Sequence, residues 1–185
     1  KVIDPIHITG HVILALHAIV SRKIHPCDPA VVSIGSLHGG EASNVIPQRV
    51  SMSGTIRYME NEVQEGVHSE IERALKIAQT MGGDYTLKIT RGYPPMVNDP
   101  EIVEALEQTA VELLGAEHVQ TGRQEMGAED FGFFSSLAQG AMFRLGCRIE
   151  GEERKHHNPT FDVDERCLPI GAAILAEAAL RLLRR

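Results

Sequence analysis

The densest group of residues that could do chemistry is the run KHHNPTFDVDE at residues 155–165. His156 and His157 precede an Asn-Pro pair, and three carboxylates follow within residues 162–165. Imidazole is the commonest metal ligand in proteins, and a carboxylate or carbonyl behind it fixes its tautomer. The run predicts either a metal-ligating loop or a solvated loop whose histidines only form hydrogen bonds, with about equal weight. Because adjacent imidazoles do not easily face one ion, a metal site would use one of the two.

A second group is the run MGAEDF at residues 126–131. It places Glu129 and Asp130 where a helix is expected to begin, and the N-terminal amides of a helix can hold a carboxylate in its ionised form. A plain helix-capping motif is the more ordinary interpretation of this pair.

Asn44 and Arg57 form the third candidate, a pair suited to an anionic ligand. Asn44 opens the run NVIP, and Arg57 lies on the polar face of a predicted strand with strictly alternating side chains. An amide donor and an arginine fork together suit a carboxylate. The more ordinary alternative is a turn followed by an exposed arginine at a sheet edge.

Three further histidines, His7, His11 and His17, lie on one predicted helix at spacings of four and six residues. These spacings are interpreted as placing the imidazoles on different arcs of the helix, among apolar neighbours. We therefore expect core or surface histidines there rather than metal ligands.

Composition and motif content argue against several classes of protein. Lysine and arginine number 18 against 25 aspartates and glutamates, and the net charge of −7 gives no support for a nucleic-acid partner or an anionic membrane. Three cysteines without CxxC spacing favour a reducing compartment, so a cytoplasmic protein is expected.

The longest apolar runs, residues 12–16 and 172–176, are far below the ~20 residues of a membrane span. Serine-hydrolase, P-loop, dinucleotide-binding and zincin motifs do not occur.

The first half of the chain has the pattern of a small α+β unit. The predicted order is helix, strand, strand, helix, strand, at residues 5–21, 30–37, 50–57, 67–81 and 85–89. This is a ferredoxin-like βαββαβ arrangement that lacks its first strand, which would lie just before Lys1. A sheet without that strand has an exposed edge that invites pairing with another chain.

The run GYPP at residues 92–95 is the expected domain boundary, dividing the chain into residues 1–92 and 93–185. The predicted order after it is helix, strand, strand, helix, at residues 99–115, 118–121, 141–146 and 169–185. The last helix is expected to pair Glu177 with Arg181 on its outer face, and its inward residues are Ile170, Ile174, Ala178 and Leu182. The predicted fold class is therefore α/β, with an α+β unit ahead of an α/β sandwich.

Five motifs occur in order along the chain: NVIPQRVSMSGTIR, GYPPMVND, MGAEDFGFF, AMFRLG and HHNPTFDVDE. Together they resemble the hippurate hydrolase, aminoacylase and auxin-conjugate hydrolase branch of the co-catalytic metallopeptidases. The resemblance implies a zinc-peptidase-like α/β catalytic domain with two divalent ions (Zn²⁺, Mn²⁺ or Co²⁺) and an inserted ferredoxin-like lid that mediates homodimerisation. Residues 1–92 would be this lid, and residues 93–185 the C-terminal part of the catalytic domain.

Matched residue by residue, the resemblance also implies roles for the candidate side chains. His157 would be the C-terminal metal ligand and His156 its non-ligating neighbour. Asn44 and Arg57 would reach a substrate carboxylate, in several relatives across the dimer interface.

Glu129 and Asp130 would lie just outside the metal ligands. The implied reaction is hydrolysis of the amide bond of N-acyl amino acids, in which metal-bound hydroxide attacks the carbonyl and a glutamate acts as general base. That glutamate and the other metal ligands belong to motifs expected upstream of Lys1, so no catalytic residue is assigned in this chain. Since one histidine cannot hold a catalytic ion, we expect the chain to be the C-terminal portion of an amidohydrolase and inactive on its own.

Two alternatives stay open. A hydrolase of N-carbamoyl amino acids or dipeptides would use the same contacts, because Asn44 and Arg57 suit any substrate with an α-carboxylate. A noncatalytic dimerisation or binding module would not need the missing ligands.

Overall fold

The computed structural model describes residues 2–120, 122 and 125–184. The chain forms two compact units, Lys1–Pro95 with Met126–Ala128 and Met96–Glu125 with Glu129–Arg185. Both mix helices with extended segments, as the prediction of an α/β class requires. None of the helices in the described ranges is long and apolar enough to cross a lipid bilayer.

The first unit contains two long helices and a β-hairpin: α1 (Pro5–Lys23), β1 (Ala30–Gly39), β2 (Val50–Tyr58) and α2 (Asn61–Thr80). The predicted cap of α1 is confirmed, because the Asp4 carboxylate accepts hydrogen bonds from the backbone N–H groups of Ile6 at 2.9 Å and His7 at 3.3 Å. A proline follows the cap, at a position where a helix needs no backbone donor.

The hairpin is antiparallel, and its ladder runs from the Ala30–Tyr58 pair to the Gly39–Val50 pair. The register shifts at Gly35, which forms a bulge in β1. The predicted alternation of β2 is confirmed: Met52 and Ile56 are half-buried, whereas Ser53 and Arg57 face solvent. One side of the hairpin is therefore apolar and the other is polar.

The core of the first unit lies between the two helices and the apolar side of the hairpin. The helix residues that form it recur at three- and four-residue spacing, the period of a helix face. They are Ile8, Val12, Leu16 and Ile19 of α1, and Val63, Val67, Ile71, Ala74, Leu75 and Ala78 of α2. Val32, Ile34, Met52 and Ile56 of the hairpin pack against them.

The predicted third strand of this unit, at residues 85–89, is wrong as a hydrogen-bonded strand. Tyr85, Leu87 and Ile89 are half-buried and the residues between them are exposed, which is the alternation expected of a strand. Tyr85 and Leu87 also pack against the helix core. Among the described residues, however, the only sheet is the β1–β2 pair, and residues 85–89 form no ladder with either strand. A strand needs a hydrogen-bonded neighbour, which alternation alone does not supply.

The second unit contains three helices: α3 (Pro100–Leu114), α4 (Phe131–Ser135) and α5 (Cys167–Leu183). Ala105 and Thr109 of α3 are buried, as are Ile174 and Ala178 of α5. The side chain of Arg181 on α5 donates to Glu112 on α3 at 2.9 Å and to the predicted partner Glu177 at 3.3 Å.

Three expectations for the second unit are wrong. His118 lies in a 3-10 turn, Ala116–His118, rather than at the start of a strand, and Thr121 falls outside the described residues. Residues 141–146 are extended with alternating exposure but form no ladder with another described segment. Ile170, expected to face inward, is 37% exposed, since it lies in the first turn of α5.

The backbones of β1 and β2 approach each other closely at Gly54, and a substitution there can test this packing. A Cβ atom added at Gly54 would overlap the carbonyl oxygen of Ser33 on β1, so strand backbone would have to move. We expect Gly54→Ala to lower the free energy of unfolding by about 1–3 kcal/mol, measured by urea denaturation. Gly66→Ala is the matched control: a Cβ there meets no atom within 4 Å, and alanine in a helix should raise stability by about 0.5–1 kcal/mol. Equal stabilities of the two variants would contradict this hairpin packing.

Candidate functional site

His157 has an unusual backbone conformation in the histidine-rich loop. Its φ of 60° lies in the left-handed region, and it is the one described non-glycine residue with positive φ. L-amino acids adopt this conformation at a cost of roughly 1–2 kcal/mol, although histidine is among the residues that tolerate it. The side chain of His157 is exposed to solvent.

A turn centred on Asn158 holds the loop immediately after His157. The Asn158 side-chain oxygen accepts hydrogen bonds from the backbone N–H of Thr160 at 3.0 Å and from its hydroxyl at 2.8 Å. The backbone carbonyl of Asn158 also accepts the N–H of Phe161 at 2.9 Å. Asparagine commonly stabilises turns in this way, so local hydrogen bonds set the path of the chain immediately after His157.

His156 has different surroundings from His157. Its ring stacks on Phe161, with ring centroids 4.9 Å apart and an interplanar angle of 28°. Both imidazoles are exposed, but they are not equivalent: His156 stacks on an aromatic ring, and His157 has a left-handed backbone.

Two of the carboxylates that follow the histidines, Asp162 and Asp164, contact arginines and backbone N–H groups. Asp162 accepts the N–H of Val163 at 2.9 Å and lies 3.6 Å from the guanidinium of Arg154. Side-chain hydrogen bonds from Arg166, together with its backbone N–H, hold the pKa of Asp164 below its ordinary value. In the described part of the chain neither Asp162 nor Asp164 bonds to a histidine, so support of an imidazole by a carboxylate or carbonyl stays a prediction for this loop.

The described residues do not form a metal centre by themselves. No three histidine, cysteine, aspartate or glutamate side chains among them converge on one point. A zinc site in an enzyme needs three protein ligands, so His157 can supply one ligand but cannot hold a catalytic ion alone.

Glu129 and Asp130 precede α4 as predicted, but the helix amides do not bind their carboxylates. Asp130 is the N-cap residue, and its side chain makes no capping hydrogen bond. The first N–H groups of the helix bond to backbone carbonyls instead. The N–H of Gly132 donates to the carbonyl of Glu129, and the N–H of Phe133 donates to the carbonyl of Asp130. Both carboxylates are exposed, and the predicted capping is wrong because Asp130 has helical backbone angles (φ −70°, ψ −19°) instead of the extended conformation of a capping residue.

The carboxylate of Glu129 lies near an arginine that has a stronger partner. Arg144 donates both terminal nitrogens to Glu125, at 2.6 and 2.7 Å. This pairing raises the pKa of Arg144, and the charge of Glu129 adds a smaller contribution in the same direction. In the second unit, Glu125 and Glu129, which both precede α4, thus lie near the guanidinium of Arg144.

Asn44 lies in the loop that joins β1 to β2. A turn closes there, because the N–H of Val45 donates to the carbonyl of Ala42 at 3.2 Å. The loop residues 39–47, with Asp4 and Ile6 at the start of α1, line an open depression. Asn44 is exposed within it, which makes its amide accessible to a ligand.

Arg57 projects from the polar side of β2 and has a partner that the sequence did not indicate. Its guanidinium donates a hydrogen bond to the backbone carbonyl of Met126, in the MGAEDF run and within the same unit. Sixty-nine residues separate the two, so no local pattern could reveal the contact. Arginine has five N–H donors, and this bond uses one of them.

The candidate residues are distributed over both units. Asn44 and Arg57 belong to the first, and Glu129, Asp130 and His157 to the second. Within the first unit Asn44 lines the loop depression and Arg57 does not, so the structure does not bring these two into one site.

The expectation that His7 and His11 lie on different arcs of their helix is wrong. Their rings contact each other, with centroids 4.9 Å apart. A four-residue spacing places side chains on the same helix face, so the sequence contained the signal for this pair.

Known proteins match the chain over nearly its whole length. The profile of "Peptidase family M20/M25/M40" matches residues 6–181. "Probable hydrolase sll0100" of Synechocystis is 36% identical over 183 residues, which are 97% of this chain and 47% of the relative. "IAA-amino acid hydrolase ILR1-like 6" of Arabidopsis thaliana is 34% identical over 178 residues, 92% of this chain and 38% of the relative.

A solved structure matches as well. A Bacillus subtilis protein, YXEP, described as a dinuclear metal-binding peptidase from the M20 family, superposes with a TM-score of 0.78 at 31% identity. The match covers 98% of this chain and 46% of that one. The chain spans about half the length, or less, of these relatives. On the profile match, the chain belongs to peptidase family M20/M25/M40.

Proposed function

We propose that this chain is the C-terminal portion of a metal-dependent amidohydrolase that cleaves the amide bond of N-acyl amino acids. The observation that carries the proposal is family membership over residues 6–181, together with a relative named as an IAA-amino acid hydrolase. An IAA-amino acid conjugate has an amide bond and an α-carboxylate, as do hippurate-like compounds. The substrate is accordingly a small molecule.

His157 is the residue that this chain contributes to the metal ions. The left-handed backbone at His157 supports this role, because a conformation with an energetic cost is often retained where it positions a functional side chain. Two divalent ions, zinc, manganese or cobalt, are proposed for the longer protein, with the remaining ligands and the general base outside this chain. Glu129 and Asp130 are proposed to lie just outside the metal ligands.

Arg57 and Asn44 are proposed to bind the substrate carboxylate. The guanidinium is exposed on β2, and its contact with the Met126 carbonyl orients it while leaving further N–H donors. Asn44 presents an amide in the open loop depression. Because these two side chains do not line one depression within one chain, we propose that one of them reaches the substrate across the dimer interface, with the first unit acting as a lid.

A homodimer through residues 1–92 is part of the same proposal, with residues 93–185 as the C-terminal part of the catalytic domain. Among the described residues β2 has a ladder partner on one side only, and an open strand edge favours pairing. We also propose a cytoplasmic location, which the three free cysteines support.

The test is a hydrolysis assay on the longer protein that contains this chain. N-benzoyl, N-carbamoyl and dipeptide substrates with the same amino acid would be compared in the presence of Mn²⁺ or Zn²⁺. We expect the N-benzoyl amino acid to be cleaved with the highest kcat/KM. A preference for the N-carbamoyl compound or the dipeptide would replace the substrate assignment. No hydrolysis of any of the three would favour a noncatalytic binding module, which the lack of a converging ligand set in the described residues also permits.

A further inference from the structure

We propose that His7 and His11 form a binding site for a late first-row divalent metal ion on the exposed face of α1. Their rings are 4.9 Å apart between centroids and nearly perpendicular, at 87°. Two histidines at i and i+4 on one helix face can chelate a metal ion, the arrangement that a helical HxxxH pair provides. The sequence here is His7-Ile-Thr-Gly-His11. The proposal does not depend on the proposed amidohydrolase function.

The helix backbone under the two imidazoles is firmly held. Ile8 and Val12, the residues that follow each histidine, are only 7% and 2% exposed and belong to the core with α2. The Asp4 carboxylate caps the helix, and the Thr9 hydroxyl donates to the carbonyl of Pro5 at 2.7 Å. The backbone positions of the two histidines are therefore fixed before an ion arrives, which reduces the entropic cost of binding.

The approach to the pair is open. Both histidines are exposed, and Gly10 between them carries no side chain. A Cβ built at Gly10 would meet no atom within 4 Å. An ion with its remaining water ligands can therefore reach the two imidazoles from solvent.

The ligand set determines which ions would bind. No third histidine, cysteine, aspartate or glutamate converges with the pair among the described residues, so water would complete the coordination. Imidazole nitrogen favours Cu²⁺, Ni²⁺ and Zn²⁺, whereas Mg²⁺ and Ca²⁺ require oxygen ligands. We expect affinity in the order Mn²⁺ below Ni²⁺ below Cu²⁺, with Zn²⁺ weaker than Cu²⁺ and no binding of Mg²⁺.

The test is calorimetric titration of the untagged chain with CuCl₂, NiCl₂ and MgCl₂ in a non-chelating buffer. The expected result is Cu²⁺ binding that weakens by about 100-fold in His7→Gln and in His11→Gln, because each removes the intramolecular second ligand. His17→Gln, an exposed histidine on the same helix, should leave this binding unchanged. Circular dichroism would establish that every variant keeps its helix content.

A second readout reports the ligand type directly. The electron paramagnetic resonance spectrum of the Cu²⁺-loaded chain should show two equatorial imidazole nitrogens, reduced to one in each single variant. The proposal is overturned if the His7→Gln/His11→Gln double variant binds Cu²⁺ as the wild type does, or if Mg²⁺ competes with Cu²⁺ for the site.

Discussion

Replacing His157 by alanine in the longer protein is expected to lower the rate of N-benzoyl amino acid hydrolysis by more than about 100-fold. Loss of a residue that merely orients a metal ligand typically costs 10–100-fold, and loss of the ligand itself should exceed that range. The measurement is kcat/KM under saturating Mn²⁺ or Zn²⁺. His157 stands in solvent in the described chain, so the substitution removes no core packing.

Two variants separate metal ligation from a structural role of the loop. His156→Ala removes the imidazole that stacks on Phe161, and activity should persist. His157→Asn keeps a residue that tolerates the left-handed backbone yet lacks the imidazole, and it should be as inactive as His157→Ala. An active His157→Asn variant would show that only the turn geometry matters and would contradict the assignment of a ligand.

Replacing Arg57 by alanine is expected to lower kcat/KM for the same substrate by about 10–100-fold. A hydrogen bond to a charged group is worth about 1.5–3 kcal/mol, and a guanidinium bound to the substrate carboxylate is such a group. The guanidinium is on the exposed side of β2, so the hairpin core residues Met52 and Ile56 keep their packing.

The substrate supplies the control for Arg57. With N-benzoyl amino acid amide, which lacks the carboxylate, wild type and Arg57→Ala should give the same kcat/KM. Arg91→Ala is the matched protein control: this exposed arginine of the same unit pairs with Glu65 at 2.7 Å and has no proposed ligand. Equal losses for the acid and the amide, or for Arg57→Ala and Arg91→Ala, would refute carboxylate binding by Arg57.

The starts of α1 and α3 could be predicted from the sequence because the signal is local, whereas α2, predicted from residue 67, begins at Asn61 without a side-chain cap. At Asp4-Pro5 and again at Asp99-Pro100 the carboxylate accepts two backbone N–H groups, and the proline occupies a position that needs no donor. The apolar stripes that follow identify the buried faces of α1 and α2 for the same reason. Cap, proline and periodicity all lie within one element.

The strands at 85–89 and 141–146 could be predicted only in their local conformation. Both segments are extended and alternate in exposure, as their sequences indicate. A ladder also requires a second segment at hydrogen-bonding distance, and alternation carries no information about that neighbour. Pairing is a long-range property, as is the bond from Arg181 to Glu112 across 69 residues of sequence.

The candidate site shows the same division between local and long-range information. Residue types and order identified His157, Asn44 and Arg57, but the sequence could not tell His156 from His157 by physical argument. The structure distinguishes them through one backbone angle and one ring contact. The contact of Arg57 with the Met126 carbonyl likewise depends on the folded chain.

The most direct test of the account is the metal content of the longer protein, measured by inductively coupled plasma mass spectrometry after dialysis against metal-free buffer. We expect two divalent ions per chain in the wild type and in His156→Ala. His157→Ala should lose at least one of them while remaining folded by circular dichroism. Two retained ions in His157→Ala, bound as tightly as in the wild type, would contradict the central claim that this chain contributes His157 to the metal centre.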